Sequence, residues 1–535
     1  MRRNIIVLIE SIMFAMFWIF GVEINQNGVV NFQDAIMYFK ILGFTIIFFI
    51  CITVLYIFLE KMEEKSENKL SEESSKINLK KYIIIAIIFL ICWTPVFFAV
   101  FPGYFCYDAY YQYYQVATNN FTTQHPILHT ILLGGIVHSI YLLTGSYNLG
   151  IAIYTILQAI LASTIFSYTI FFMEKYNVSK KLRMIGILYY CFFPVIHMFV
   201  LNSSKDTLYT LMMILYMLSL IDIFNNKEKY FKRKRNILKY ALIVILLCFF
   251  RNNGIYVIIG ITLMSIFLIK SEKIILINIF LISLYIYIWG IVTQLPNVNI
   301  SSPAEMLSVP MQQMAYVYNY SDDITDEEKS KIEYMFMHGE EALKLYVPEL
   351  SDPIKKYFRS ADLFQNFNFY IKLGIKHKSE YINAFLLNTI GYWYPNQLVD
   401  GYIKANIEGF EERKTCYFAA ITDNPGTRKS LFPKLEKIYF EISSEGTVEN
   451  IPIISLLFSI GANIWLIFII LFYGIYKKKH VVVLYLSVII ITWFMMLLGP
   501  IVQVRYILII FFLLPLNIAM LLNNKCFYGL ENENI

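Results

Sequence analysis

Apolar runs of about twenty residues recur from one end of this chain to the other, each long enough to cross about 30 Å of hydrocarbon as a helix. Within lipid a backbone must satisfy its own hydrogen bonds, and a single run of that length does so as a helix. Composition agrees. Of 535 residues, 58% are apolar and only 16% charged, too few charges to cover a soluble protein of this size. The expectation is an all-α polytopic membrane protein, multi-pass in the cell membrane, with the lipid bilayer as its first partner. The net charge of +6 is modest, and no basic groove interleaved with aromatics suggests nucleic acid. Seven cysteines show no CxxC or metal-type spacing. Most sit within apolar runs as packing residues, while a bridge between Cys106 and Cys416 would be compatible with the topology below.

Lys and Arg gather in short blocks between the apolar runs, as they do on cytoplasmic faces. Met1-Arg2-Arg3 places the N-terminus inside and reads as the flank of an uncleaved anchor. Spans near 4–22, 38–59 and 82–102 follow, with the Lys- and Glu-rich stretch 61–81 as a cytoplasmic linker. The third span exits at Pro102-Gly103, so FCYDAYYQYYQ lies outside. Lys175 and the block 227–236 fall inside, which requires an odd number of crossings after Asp108. Run 127–144 therefore reads as interfacial or re-entrant, and 148–173 as the true span. Spans near 184–201 and 206–224 form a hairpin turning at NSSKD, and 237–270 reads as two short helices meeting at RNNG. After a span near 273–293, residues 294–450 form an acidic, mostly helical extracytoplasmic domain. Spans near 452–476, 480–499 and 504–523 complete a tally of about twelve crossings, both termini cytoplasmic. The chain thus divides into a bundle over 1–293, the external domain 294–450 and C-terminal spans over 451–535.

The topology makes an independent statement about the unusual polar residues. Asp108, Lys205, Asp206, Arg251 and Arg505 all fall at or just below one external surface. Ionisable groups within a membrane usually face a cavity or one another. A helix over 105–119 would align Asp108, Gln112, Gln115 and Asn119 on one face, with Tyr107, Tyr110, Tyr111 and Tyr114 at headgroup depth. His125 and His129 flank Pro126 at a spacing that could hold zinc, but no third ligand is near. Their expected role is to orient Asp108 or touch substrate hydroxyls. Arg251 and Arg505 suit phosphate because a guanidinium donates two parallel hydrogen bonds and stays charged. Lys205 adds a point charge, Asn252 and Tyr506 flank the arginines, and Asp206 would neutralise Lys205. In GYWYPN, Trp393 and Tyr394 could stack on a sugar face or rest on the membrane.

These residues carry a resemblance. FPGYFCYDAYYQYYQ followed by HPILHTILLGG resembles the start of GT-C superfamily glycosyltransferases. The resemblance implies a GT-C-like helical bundle, a polyprenyl-phosphate sugar as donor, and an extracytoplasmic glycan, lipid or protein as acceptor. It also implies that the acid of the first external loop, here Asp108, is catalytic. The NSSKD turn, RNNG, GYWYPN and RYIL resemble an uncharacterised group of bacterial multi-pass proteins. Two departures stand out. Asp108 is followed by Ala109 and Tyr110 rather than a second acid, and HPIL lacks the second proline of HPPL. The missing acid weakens the case for a divalent metal, so no cofactor is firmly implied. The expected activity is inverting sugar transfer. A lipid-linked sugar flippase would use the same cationic cavity without chemistry, and a noncatalytic sensor would use the external domain alone.

Overall fold

The computed structural model describes residues 1–67, 79–106, 108–396, 424–443, 448 and 451–522. Helices α1 (Arg2–Asn27), α2 (Ala35–Glu67) and α3 (Leu79–Ala99) open the chain. A short α4 (Ala109–Thr118) and strand β1 (Phe121–Thr122) lead to the hairpin of α5 (Ile127–Thr144) and α6 (Tyr147–Lys175). Next come α7 (Lys180–Phe192), α8 (Pro194–Val200), α9 (Lys205–Asn225), α10 (Lys227–Lys232), α11 (Lys234–Phe250), α12 (Gly254–Leu268) and α13 (Glu272–Val292). Strand β2 (Val298–Asn299) pairs in parallel with β1, Phe121 opposite Val298. A lobe follows, built from α14 (Ser308–Tyr320), α15 (Asp326–Tyr334), α16 (Glu340–Leu343), α17 (Asp352–Lys355), α18 (Ser360–Gln365), α19 (Phe367–Lys376) and α20 (Lys378–Thr389). The described chain ends with α21 (Pro433–Ser443), α22 (Ile454–Phe458), α23 (Ile460–Tyr476), α24 (His480–Leu497), α25 (Ile509–Phe512) and α26 (Leu514–Leu522).

The chain is all-α and polytopic in build. Eight described helices are long and apolar enough to cross a membrane, and a ninth span results if α7 and α8, bent by 56° at Phe193, count as one. Pro194 explains that break, since it removes a backbone donor and disfavours helix at the residue before it. The helix 127–144 passes the same test of length and hydropathy. Many of the helices keep outward apolar side chains exposed, Phe39, Leu143 and Phe267 among them, as a lipid-facing surface requires.

Charge pairs join helix ends at one end of this bundle. Arg3 meets Glu60 at 3.7 Å and Lys477 meets the same acid at 3.4 Å, tying α1, α2 and the turn after α23. Lys81 and Arg183 share Glu174 at 2.7 and 2.9 Å, and Lys175 pairs with Asp222, tying α3, α6, α7 and α9. Asp108 lies beyond the opposite end of α3. The bundle therefore has an Asp108 face and a far face.

Residues 304–381 own a separate apolar core around Met311, Met314, Ile332, Leu343 and Ile354. Described residues after 381 pack elsewhere. Ile390, Tyr392, Trp393 and Tyr394 enter the main core, and Tyr439 of α21 reaches buried His197 of α8. Cys416 lies outside the described residues, and Cys106 is buried.

Candidate functional site at Asp108

Backbone pairing brings the two critical loops together. The Tyr104 N–H donates to the Leu201 carbonyl, and the Ser203 N–H donates to the Tyr104 carbonyl, both at 2.9 Å. The first loop is thereby laid alongside the start of α9. Asp108 occupies the N-cap of α4 yet makes no side-chain cap. Its carboxylate turns instead to Lys205, whose Nζ donates to Oδ2 at 2.8 Å. Arg505 Nη1 donates to the same oxygen at 3.4 Å, and His125 Nδ1 stands 3.8 Å from it and 3.3 Å from Lys205 Nζ.

Arg505 is held from behind. Gln503 Oε1 accepts its Nε–H at 2.6 Å, and the Tyr506 hydroxyl accepts from Nη2 at 3.0 Å. Tyr506 also joins the second arginine, since both guanidinium groups lie over its ring, at 4.7 Å for Arg505 and 4.9 Å for Arg251. Arg251 Nη1 then meets Asp206 Oδ1 at 2.9 Å. Asp206 is wholly buried, and its Oδ2 accepts from the Ser204 hydroxyl that caps α9. Adjacent residues Lys205 and Asp206 thus serve different partners, the first at the rim and the second within.

Residues 115–526 match the family of unknown function DUF6020. The chain belongs to that family. No curated protein and no solved structure matches it. The matched stretch of this DUF6020 chain contains His125, Lys205, Asp206, Arg251 and Arg505.

The electrostatics of Asp108 follow from this arrangement. Burial opposes its ionisation, but the charges of Lys205 and Arg505 overcome that and hold the carboxyl well below its usual range. The site is recessed rather than sealed, since 27% of the Asp108 side-chain surface stays exposed. His125 is pushed down to about 4, first by burial and then by the Lys205 charge. It is therefore neutral at physiological pH. Unfolded histidine takes up a proton near pH 6.5, whereas this one resists, so it destabilises the fold as pH falls from 6.5 towards 4. A His125→Gln variant is expected to flatten that part of a melting-temperature profile; an unchanged acid slope would refute the assignment.

In this DUF6020 protein the structure gathers Asp108, Lys205, Arg505, His125 and Tyr506, with Arg251 and Asp206 one ring away. The expected pairing of Asp206 with Lys205 is not found, because one helical step turns Asp206 inward to Arg251. Asn252 serves the backbone, donating to the Thr123 carbonyl at 3.0 Å and so fixing β1. The helix after Asp108 is shorter than 105–119, with Asn119 left-handed at its C-cap. Tyr111 and Tyr114 are exposed as expected, and Tyr107 lies outside the described residues.

Gln112 and His129 belong to a buried hydrogen-bond chain. His129 Nδ1 meets Gln112 Oε1 at 3.1 Å, while Nε2 meets the Tyr154 hydroxyl at 2.9 Å, all three residues buried. Tyr154 continues to Gln158, whose amide donates to the Val200 and Asn202 carbonyls at 2.8 and 2.7 Å. This chain locks α4, α5 and α6 to the turn before Lys205. Both ring nitrogens of His129 are thereby engaged in side-chain hydrogen bonds. His129→Ala is expected to cost about 1–3 kcal/mol by leaving buried partners unpaired, read as a lower melting temperature in detergent.

Trp393 and Tyr394 correct a second expectation. Both are buried among α1 and α23, with Trp393 beside Phe17 at 5.7 Å and Tyr394 beside Trp18 at 5.8 Å. Neither ring is available to a sugar. Their neighbour Tyr392 acts nearer the site: its hydroxyl donates to the Ile501 carbonyl at 3.2 Å and accepts from the Gln503 N–H at 3.4 Å. GYWYPN thus underpins the turn that carries Arg505. A side chain at Gly461 would strike the Tyr394 backbone. Gly461→Ala is expected to destabilise by about 1–3 kcal/mol, measurable as a melting shift. Tyr392 lies within GYWYPN, whereas Gln503, Tyr154 and Gln158 carried no motif; the serine before α9 signalled itself as an N-cap.

Proposed function

We propose that this DUF6020 protein is a membrane glycosyltransferase of GT-C type, moving a sugar from a polyprenyl-phosphate donor to an extracytoplasmic acceptor hydroxyl with inversion. The observation that carries the reading is one carboxylate oxygen of Asp108 shared by Lys205 and Arg505 at a partly open rim. Arg251 is already matched by Asp206, so the phosphate role falls on Lys205 and Arg505. An arriving phosphate competes with Asp108 for both cations. As they shift towards it, the carboxylate regains basicity and takes the proton of the acceptor hydroxyl. That oxygen bonds to the anomeric carbon while the bond from carbon to phosphate oxygen breaks, and the phosphate leaves as an anion held by the two cations. Charge stabilisation is assigned to these side chains, and no cofactor enters the scheme.

The bundle geometry supports a membrane setting for that chemistry. From Gln158, at the level of Asn202, to Lys175, at the level of Asp222, α6 rises about 25 Å at 1.5 Å per residue. That is close to the hydrocarbon thickness. Helix α9 covers the same height from Lys205 to Asp222. The first turns of α6 therefore project beyond the Asp108 face, and α5 packs beside them with Tyr113 of α4 bonded to Tyr147. This supports a juxtamembrane role for 127–144 and about twelve crossings in all, with α11, α12, α23 and the segment 509–522 as the shorter ones. The positive blocks then orient the Asp108 face outward and both termini inward.

The test is binding of undecaprenyl phosphate to the purified chain in detergent, followed by calorimetry or tryptophan fluorescence. Wild type is expected to bind, and Lys205→Met to weaken binding at least tenfold. Binding that no cation variant alters would overturn the phosphate site. Binding of a sugar-loaded lipid without turnover for any acceptor would favour the flippase.

A further inference from the structure

The lobe over 304–381 carries a polar cluster apart from its apolar core. Its two longest helices, α14 and α20, pack against each other. The turn Ser321–Asp323 follows the first, and His377 caps the start of the second. The His377 ring is buried to 1% exposure, with an acid facing each of its nitrogens. Nδ1 stands 3.1 Å from Asp323 Oδ1 and 2.9 Å from Ser321 Oγ, and the Ser321 hydroxyl donates to Asp323. Nε2 has no hydrogen bond and lies 3.6 Å from Glu328 Oε2. Glu380 sits three residues after His377, in the first turn of α20. One donor atom from each of Asp323, His377 and Glu380 lies within 4.8 Å of the others.

We propose that Asp323, His377 and Glu380 form a binding site for a divalent cation of the zinc class, clipping the end of α14 to the start of α20. Donor atoms around zinc sit about 2.0–2.2 Å from the ion, so the three groups need only close by small side-chain rotations. Two carboxylates and a neutral imidazole balance the charge of the ion. An imidazole ligand favours zinc over calcium or magnesium, which prefer oxygen alone. Glu328 stands where the outer partner of a ligating histidine belongs: a carboxylate facing Nε2 fixes Nδ1 as the ligand atom. It is held there by Lys376 at 2.7 Å and by the capping hydroxyl of Thr325. Lys376 engages Glu328 and so leaves it out of the inner set. The Ser321 hydroxyl or a water completes four ligands. The role is structural and independent of the chemistry at Asp108.

The experiment uses the full chain, stripped with chelator and titrated with zinc, manganese or calcium chloride, with metal content, calorimetry and melting temperature as readouts. Expected are one zinc per chain, calcium at least tenfold weaker, and a melting temperature raised by zinc. Asp323→Asn and Glu380→Gln should each weaken zinc at least tenfold. Asp323 is mostly exposed, so its variant is expected to fold and melt like the stripped wild type, which keeps the comparison valid should a His377 variant not fold. Zinc bound equally by wild type and the Asp323→Asn, Glu380→Gln double variant would overturn the site. So would a wild type that binds no zinc and melts at the same temperature with or without metal.

Discussion

Replacing Asp108 by asparagine is expected to lower sugar transfer by roughly 10²–10⁴-fold, the range for loss of a general base, while the lipid phosphate binds at least as tightly. The second half of that expectation is the more discriminating. In the free protein Asp108 competes for Lys205 at 2.8 Å and Arg505 at 3.4 Å. Asparagine keeps the shape but gives up the negative charge, so both cations are released to the phosphate. A carboxylate that served only to shape the loop would give weaker binding and weaker turnover together.

The same competition sets a pH signature. In the free site the Asp108 carboxyl is held well below its usual range, despite burial, by Lys205, Arg505 and His125. A depressed acid contributes stability above its unfolded value near 4, and that stability is lost as pH falls through the lower folded value. The acid limb of kcat/KM, which reports the free enzyme, should therefore lie below about pH 4. Once phosphate has drawn the cations away the carboxyl is less depressed, and the acid limb of kcat should lie at higher pH. Coincident limbs in the two profiles would count against cation transfer from Asp108 to donor.

What the sequence made legible was depth, and what it hid was direction. Hydropathy and basic blocks place Asp108, Lys205, Arg251 and Arg505 on one level because membrane thickness fixes how far each helix carries the chain. The contacts at Asp108 agree, since they join residues 97 and 397 positions apart. Which way a side chain turns within that level depends on partners remote in sequence. Asp206 faces Arg251 rather than Lys205 because the Ser204 cap fixes the first turn of α9. Gln112 looked like a face-mate of Asp108, but His129 and Tyr154, themselves fixed by the 200–204 turn, draw it into the interior. Trp393 and Tyr394, clustered in GYWYPN, read as rings that could stack on a sugar face or rest on the membrane. The short approach to Gly461 and Gly21 is what lets Tyr394 sink, and no local pattern announces it.

Asp206→Asn should be the most damaging single change to the fold, about 3–5 kcal/mol, the cost of leaving one member of a buried ion pair alone. The Asp206 side chain is fully buried and that of Arg251 only 10% exposed. Without the acid, the guanidinium remains among Tyr209, Tyr506 and the Met496 sulfur, none of which can neutralise it. The ring faces offset part of that cost, which is why Asn rather than Ala is the sharper probe: it keeps the packing and removes only charge. Pairing it with Arg251→Met should return much of the lost stability, because no uncompensated charge is then left in the interior. The double variant should also still bind undecaprenyl phosphate, whereas Lys205→Met should not. A double variant that folds but has lost the lipid phosphate would restore Arg251 to the binding site and remove the division of labour between the rim cations and the buried pair.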